Sequence, residues 1–471
     1  MVFVPDEEAA RILEGWLDAT DPAAAGEAWP GWPAGAAAFG LLLPHGGGVC
    51  LRGFPEAVGQ AVATRTGRSH PGVCHLQPDG AARLGLPSGP SDAAPRVVEA
   101  QGVPIVLSGA PRPSAAALWE EAFGVWWSQR APAAARAAAA AWAPMPPTPK
   151  EVALSTVEGR VAAAALQARV AGAEGERAAR TLALLRRERR ALWDEEQVAG
   201  ERAMEVLAGV PRYVGWRCGG AVPLNRVPDD VGRLAGPERA GWSGALLCAL
   251  LDQFAAQGGP PPVRTAHPWA TRPDRPADWR EALAADGLDT GLEAHVRFDG
   301  GSRDDAALAA AQSVHGYGAL LDAAGERAAE AAAARTALMD QILRGPGTLL
   351  TFATGPLGPA RVTPAQPAQA VNAGLLLYAA GARFEYGDGT LLDCPGLPLA
   401  EDRHGALVHV RVAGVLRLGA DGAPLSPQRT VEFTEGLELR IGGVRARAHR
   451  GTLEPIEGGW LLRLAPAAPP R

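Results

Sequence analysis

The chain predicts an α+β protein, on the strength of three stretches that differ in periodicity. From Val2 to about Gly109, strand-length apolar runs are punctuated by Gly and Pro, and one segment repeats at helical spacing. From Ser114 to about Arg344, Ala-rich segments carry interleaved Arg and Glu and read as a succession of helices. After Gly345, runs such as ARFEYGDGTLLD and GLELRIGGVRARAHRGTLEPIEGGWLLRL alternate with the period of a strand. The expected organisation is a mixed α/β part over 1–110, an Ala-rich helical lobe over 111–344, a small antiparallel β domain over 345–465 and a Pro-rich tail over 466–471.

Taken in order, EEAARILEGWLDA from Glu7 predicts a helix, and FGLLLP near Phe39, VCLRGF near Val49 and VPIVLSG from Val103 predict strands. Pro-rich breaks at Pro144–Pro149 and Pro260–Pro276 interrupt the helices. The segment from Gly258 to Asp278 predicts an ordered loop pinned by Trp269 and Trp279. Gly316-Tyr317-Gly318 reads as a helix start and not as a phosphate cradle. In the last part, Gly387-Asp388-Gly389 and Asp421-Gly422 predict hairpins, because these residues accept positive φ.

With 471 residues, 47% of them apolar, the chain is long enough for more than one packed unit. A net charge of −6 argues against a dedicated nucleic-acid surface, which needs a basic stripe to neutralise phosphates. Arg186, Arg187, Arg189 and Arg190 form a basic run, read as a solvated helix face because Asp194, Glu195 and Glu196 follow it. Arg far outnumbers Lys, and Ala, Gly and Pro are abundant, the coding bias of a GC-rich bacterial genome. The N-terminus has early acids and no secretion-signal layout, and no run approaches the ~18 apolar residues of a membrane helix. A cytoplasmic protein without a membrane partner is expected.

Five scattered cysteines, Cys50, Cys74, Cys218, Cys248 and Cys394, fit reduced buried thiols better than a disulfide frame. His45, Cys50, His70, Cys74 and His75 have ligand types that suit zinc, but their spacing matches no known finger or ribbon. LPHGGG near His45 has no GxSxG elbow to serve, and no Walker A motif surrounds Lys150, the single lysine.

The chemically informative segment is SAAALWEEAFGVWWSQRAP, from Ser114 to Pro132. Trp119, Phe123, Trp126 and Trp127 fall on one helical stripe, so this helix should pack hard into a core. Glu120 and Gly124 stand one turn apart on a neighbouring face, with Glu121 between them. The pentapeptide Glu120-Glu121-Ala122-Phe123-Gly124 resembles the HExxH segment of bacterial gluzincin metallopeptidases, where two histidines one turn apart grip zinc and the Glu activates the bound water.

Three further blocks follow in the family's order. TVEGRVAAAAL from Thr156 resembles its LEGR helix, LLRRERRALWDEEQVAGERAMEVLAGVPRYVGWR from Leu184 is similar to its Arg-rich helix and EGLAEYTG-type segment, and SVHGYGALLD from Ser313 resembles its GPAYGLLLD helix start. The matches run from Ser114 to Asp322. In this register the family's downstream zinc-ligand glutamate falls on Ala208.

The resemblance therefore implies a zincin-like body whose three metal ligands are replaced by Glu120, Gly124 and Ala208, with Glu121 left as a vestigial general base. It implies no metal and no cofactor. Glu158, Arg160, Tyr213, His315 and Tyr317 become candidates to line the cleft, and Glu121 and the Ala208 segment should face each other on crossing helices. The expected function is a pseudoenzyme: a peptide- or protein-binding or structural module with an unidentified partner. Two alternatives stand beside it, a metal-independent hydrolase acting through Glu120 and Glu121, and an interaction scaffold using the β domain, with a sheet edge or apolar patch over Ala406–Leu418.

Overall fold

A computed structural model describes residues 2–466, apart from 55–59, 64–68, 88–93, 110–113, 143–145, 220–233, 257–286, 414–416, 419–422, 425–429 and single or paired positions elsewhere. The predicted loop from Gly258 to Asp278, with Trp269 and Trp279, and the Asp421-Gly422 turn lie outside the described residues. The chain divides into two compact units, residues 1–142 with 150–321, and residues 143–149 with 322–471.

In the first unit, strands β1 (Val2–Phe3), β2 (Ala38–Leu42), β3 (Val49–Arg52), β4 (Gln60–Ala63), β5 (Ser69–Leu76), β6 (Arg96–Ala100) and β7 (Val103–Ser108) form one sheet. Its order is β1-β4-β5-β3-β2-β7-β6, with β1–β4 and β2–β7 parallel and the remaining pairs antiparallel. Both faces are covered. Phe39, Leu41, Cys50 and Val106 enter the main core, while Ala38, Leu42, Val49, Leu51 and Ile105 pack into a second cluster that includes Ala81. That is why β2 reads as a continuous apolar run: all five of its residues are buried.

Helix α1 (Glu7–Ala19) covers the main-core face with Ile12, Leu13 and Trp16, and Asp6 caps it by accepting from the Ala9 amide at 2.8 Å. The short helices α2 (Pro22–Ala25) and α3 (Pro78–Arg83) follow. Thereafter the described residues of this region form α4 (Ala115–Arg130), α5 (Ala133–Ala141), α6 (Pro149–Gln167), α7 (Gly172–Arg190), α8 (Glu195–Met204), α9 (Val210–Cys218), α10 (Gly236–Ala256), α11 (Leu288–Ala294), α12 (Ser302–Val314) and α13 (Tyr317–Arg344). Gly316, at φ +69°, separates α12 from α13, so the GYG segment is a helix junction.

The second unit holds α13 from residue 322 onward, whose Ile342 packs with Leu377 and Ala400, and two sheets. One has the order β10 (Gln369–Asn372), β11 (Leu375–Tyr378), β14 (Leu399–Asp402), β15 (Leu407–Val412), β8 (Thr348–Ala353), β22 (Gly459–Ala465), β21 (Arg450–Ile456) and β18 (Val431–Phe433). The other runs β17 (Ala423–Pro424), β16 (Arg417–Leu418), β19 (Leu437–Ile441), β20 (Val444–Ala448), β13 (Leu391–Pro395), β12 (Gly381–Tyr386) and β9 (Ala360–Pro364). Alternate residues of both, including Phe352, Val410, Phe384 and Leu439, share one core, which makes the unit a β-sandwich. The predicted hairpin is present: Gly389, at φ +85°, turns β12 into β13 and Asp388 Oδ1 accepts from the Thr390 amide at 2.9 Å. One pairing is parallel, β22 with β8, so the unit is not purely antiparallel. Nor does Ala406–Leu418 offer β15 as an edge, since that strand lies between β14 and β8 with alternate residues buried. Among the described residues no helix is long and apolar enough to cross a membrane.

Candidate functional site

The motif helix α4 is fixed by its aromatic stripe. Ser114 caps it, its Oγ accepting from the Ala117 amide at 3.4 Å. Trp119 and Phe123 are fully buried, Trp119 lying edge-on to Phe39 at 4.8 Å and Trp32 at 5.5 Å, and Phe123 edge-on to Trp32 at 5.1 Å. With that face committed to the core, Glu120 and Glu121 remain half-buried on an adjoining face.

Across this face runs α9, and glycine permits the approach. A Cβ on Gly215 would collide with the Ala116 carbonyl oxygen and lie 2.9 Å from Glu120 Cβ. Between α8 and α9 the helix widens into a π turn, Glu205–Gly209, which contains Ala208. The wider turn disturbs the regular carbonyl ladder, and Trp127 of α4 donates its Nε1–H to the Val206 carbonyl at 3.1 Å. On its other side the turn meets α10: a Cβ on Gly209 would lie 2.6 Å from Gly244 Cα, and one on Gly241 would lie 3.3 Å from both Ala208 Cβ and Arg212 Nη1.

Arg212, one turn beyond Ala208, completes the site. Its Nε donates to Glu120 Oε1 at 3.1 Å, its guanidinium lies 5.1 Å from the centre of the Trp242 ring, and its Nη1 is buried without a hydrogen-bond partner among the described residues. Burial pushes the Glu120 carboxyl up from its ordinary range despite the opposing pull of Arg212. Glu121 is also raised, by burial first and then by the neighbouring Glu120 charge.

These residues do not fit a zinc ion. Glu120 already serves a guanidinium, Gly124 has no side chain and sits with its Cβ position 4.0 Å from Pro211 Cβ, and Ala208 presents a methyl group to Gly241. Among the described residues no group of three or more His, Cys, Asp or Glu is placed to hold a metal. In the N-terminal sheet, Cys50 and His75 pair across β3 and β5, but His75 Nε2 bonds the Gly47 carbonyl at 2.6 Å and its ring stacks on Phe3. His45 pairs with Glu8, and burial pushes the Cys50 thiol up to about 12. The His70 side chain lies outside the described residues.

The five candidate lining residues are dispersed. Tyr213 is buried and its hydroxyl accepts from Arg217 Nη1 at 3.2 Å. Arg160 donates to the His315 carbonyl at 2.9 Å, which brings those two together where α12 ends. Tyr317 opens α13 near Lys150 and Glu188. Glu158 belongs to a different centre altogether.

No protein-family model, curated protein or solved structure matches the chain.

That other centre overturns the reading of the basic run as a solvated face for Arg186, Arg189 and Arg190, while Arg187 does lie exposed. Arg186 and Arg189 are 2% and 1% exposed. Arg186 donates to Glu158 Oε1 at 2.5 Å, to Glu205 at 2.6 and 2.7 Å, to Asp289 at 2.8 Å and to Ser243 at 2.8 Å. Arg189 donates to Glu158 Oε2 at 3.1 Å and Glu201 at 2.6 Å, and Arg190 bonds Glu201, Glu205 and Asp289. The guanidiniums tolerate burial because α6, α8, the π turn and α11 each bring a carboxylate to them. Burial alone would raise the acids, but the arginines hold Glu158 below its usual range and Glu201 at about 2. Glu205 is the exception, raised by burial beyond what Arg186 and Arg190 recover. Spacing carried a signal for this cluster: Arg186 and Arg190 are one turn apart, and so are Glu201 and Glu205.

Proposed function

We propose that the first unit is a gluzincin-like, zincin-type scaffold that has lost its metal and acts as a non-catalytic structural or protein-binding module. One observation carries this reading: at the α4–α9 crossing an internal Arg212–Glu120 ion pair stands where the resemblance calls for ligands on a metal. A guanidinium there supplies the positive charge that a cation would otherwise bring to Glu120, and close packing at Gly215 favours a helix junction over an open substrate cleft. Protein purified without chelator should contain far less than one zinc per chain by atomic absorption; stoichiometric zinc sinks the proposal. The register has its own test. Changing Glu120→His, Gly124→His and Ala208→Glu, with Arg212→Gln to clear the guanidinium, should create a zinc site, and a folded variant that binds none places Ala208 wrongly.

A second reading, metal-independent hydrolysis through Glu120 and Glu121, draws on the raised carboxyls at those positions. Any hydrolytic activity of the purified chain that Glu121→Gln abolishes without loss of folding would favour it.

A further inference from the structure

Helices α6 and α10 leave a cavity of about 20 Å³ between them, walled by Leu182 and Leu246 and reached by Ser155, Glu158, Arg239 and Ser243. Two of these polar side chains are incompletely used. Ser155 is 4% exposed and Arg239 5%, yet neither Ser155 Oγ nor Arg239 Nε has a hydrogen-bond partner among the described residues. The other end of Arg239 is engaged, with Nη2 3.5 Å from Glu201 and Nη1 3.9 Å from Glu151. Glu158 Oε2 takes one bond, from Arg189 at 3.1 Å, and a carboxylate oxygen can accept two.

We infer that this cavity is a binding site for a single ordered water molecule, which accepts from Arg239 Nε, exchanges a hydrogen bond with Ser155 Oγ and donates to Glu158. Size selects one small occupant, since a water needs about 10–15 Å³ of such space. Charge selects a neutral one. An anion would sit against the Glu158 carboxylate, and a cation against Arg189 and Arg239. The groups presented, one fixed donor, one hydroxyl and one acceptor, ask for a molecule that both donates and accepts. The water joins α6 to α10 and extends the buried ionic cluster to Ser155, a residue that no protein group in the cluster reaches.

Crystals of the full chain, diffracting well enough to show ordered solvent, test this directly. A single peak within hydrogen-bond reach of Ser155 Oγ and Arg239 Nε is expected, persisting in Ser155→Ala, where Arg239 and Glu158 still hold it. Soaking in bromide should leave the site without anomalous signal. An empty cavity in the wild-type crystal, or a bromide peak in it, overturns the inference.

Discussion

Two clusters of charge lie within the helical unit, and they differ in how completely their groups are matched. Around Arg186 and Arg189, guanidiniums and carboxylates from several elements meet in the interior, and almost every donor has an acceptor. At the α4–α9 crossing, among the described residues, a single pair, Arg212 with Glu120, is partly exposed, with a second carboxyl beside it and an Nη1 without a partner. The difference shows in most of the carboxyls: Glu158, Glu201 and Asp289 are pulled down by their arginines, with Glu205 alone of that cluster raised by burial, whereas burial leaves both Glu120 and Glu121 raised. A matched cluster is architecture. An under-matched one retains capacity for a proton.

The largest expected effect breaks the first cluster. Arg186→Met strips one cation from Glu158, Glu205 and Asp289 at once and should cost about 3–5 kcal/mol, read as the midpoint of urea unfolding. A loss below about 1 kcal/mol, the scale of an exposed pair, would show that the cluster is solvated after all.

Next comes the helix crossing. Gly215→Ala forces a methyl into the Ala116 carbonyl and should lower stability by about 1–3 kcal/mol, whereas a helix that merely passed nearby would gain from the better helix former. Smaller again is Arg212→Met, which leaves Glu120 half-buried and unpaired, at about 1–2 kcal/mol in thermal unfolding, with the Glu120 carboxyl rising further.

The smallest effect separates Glu120 and Glu121 from Glu201 by sign. Glu120 and Glu121 bind a proton more tightly folded than unfolded, so their contribution is present at low pH and is lost as pH rises through their raised values. Glu201 runs the other way: its contribution is present above the ordinary carboxylate range and is lost as pH falls towards about 2. Glu121→Gln, compared with wild type in denaturant melts, should therefore look more favourable at pH 7 than at pH 4. An unchanged difference would mean that neither burial nor the Glu120 charge raises the Glu121 carboxyl.

Much of the framework was legible in the residues. Ser114 and the stripe from Trp119 to Trp127 specify where α4 begins and which face it buries, and Gly387-Asp388-Gly389 specifies a hairpin through local turn chemistry. Long-range events left no such mark. The parallel meeting of β8 and β22 joins the first and last strands of the sandwich in chain order. The fate of the Arg-rich run depended on which carboxylates arrived from α6 and α11, since the same residues on a solvated helix would look alike. Arg212 carries no motif signal of its own, since the resemblance points to Ala208, one turn earlier.

The π turn at Glu205–Gly209 has a consequence of phase. An α-helix advances about 100° per residue, so accommodating one extra residue in a single turn rotates everything downstream relative to an uninterrupted helix. Deleting one residue from that turn would restore a regular helix and keep Gly215 and Arg212 on the α4 face, whereas running the same residues as an uninterrupted α-helix would swing both off it by about 100°. The widened turn thus sets which residues, counted along the chain, meet the motif helix.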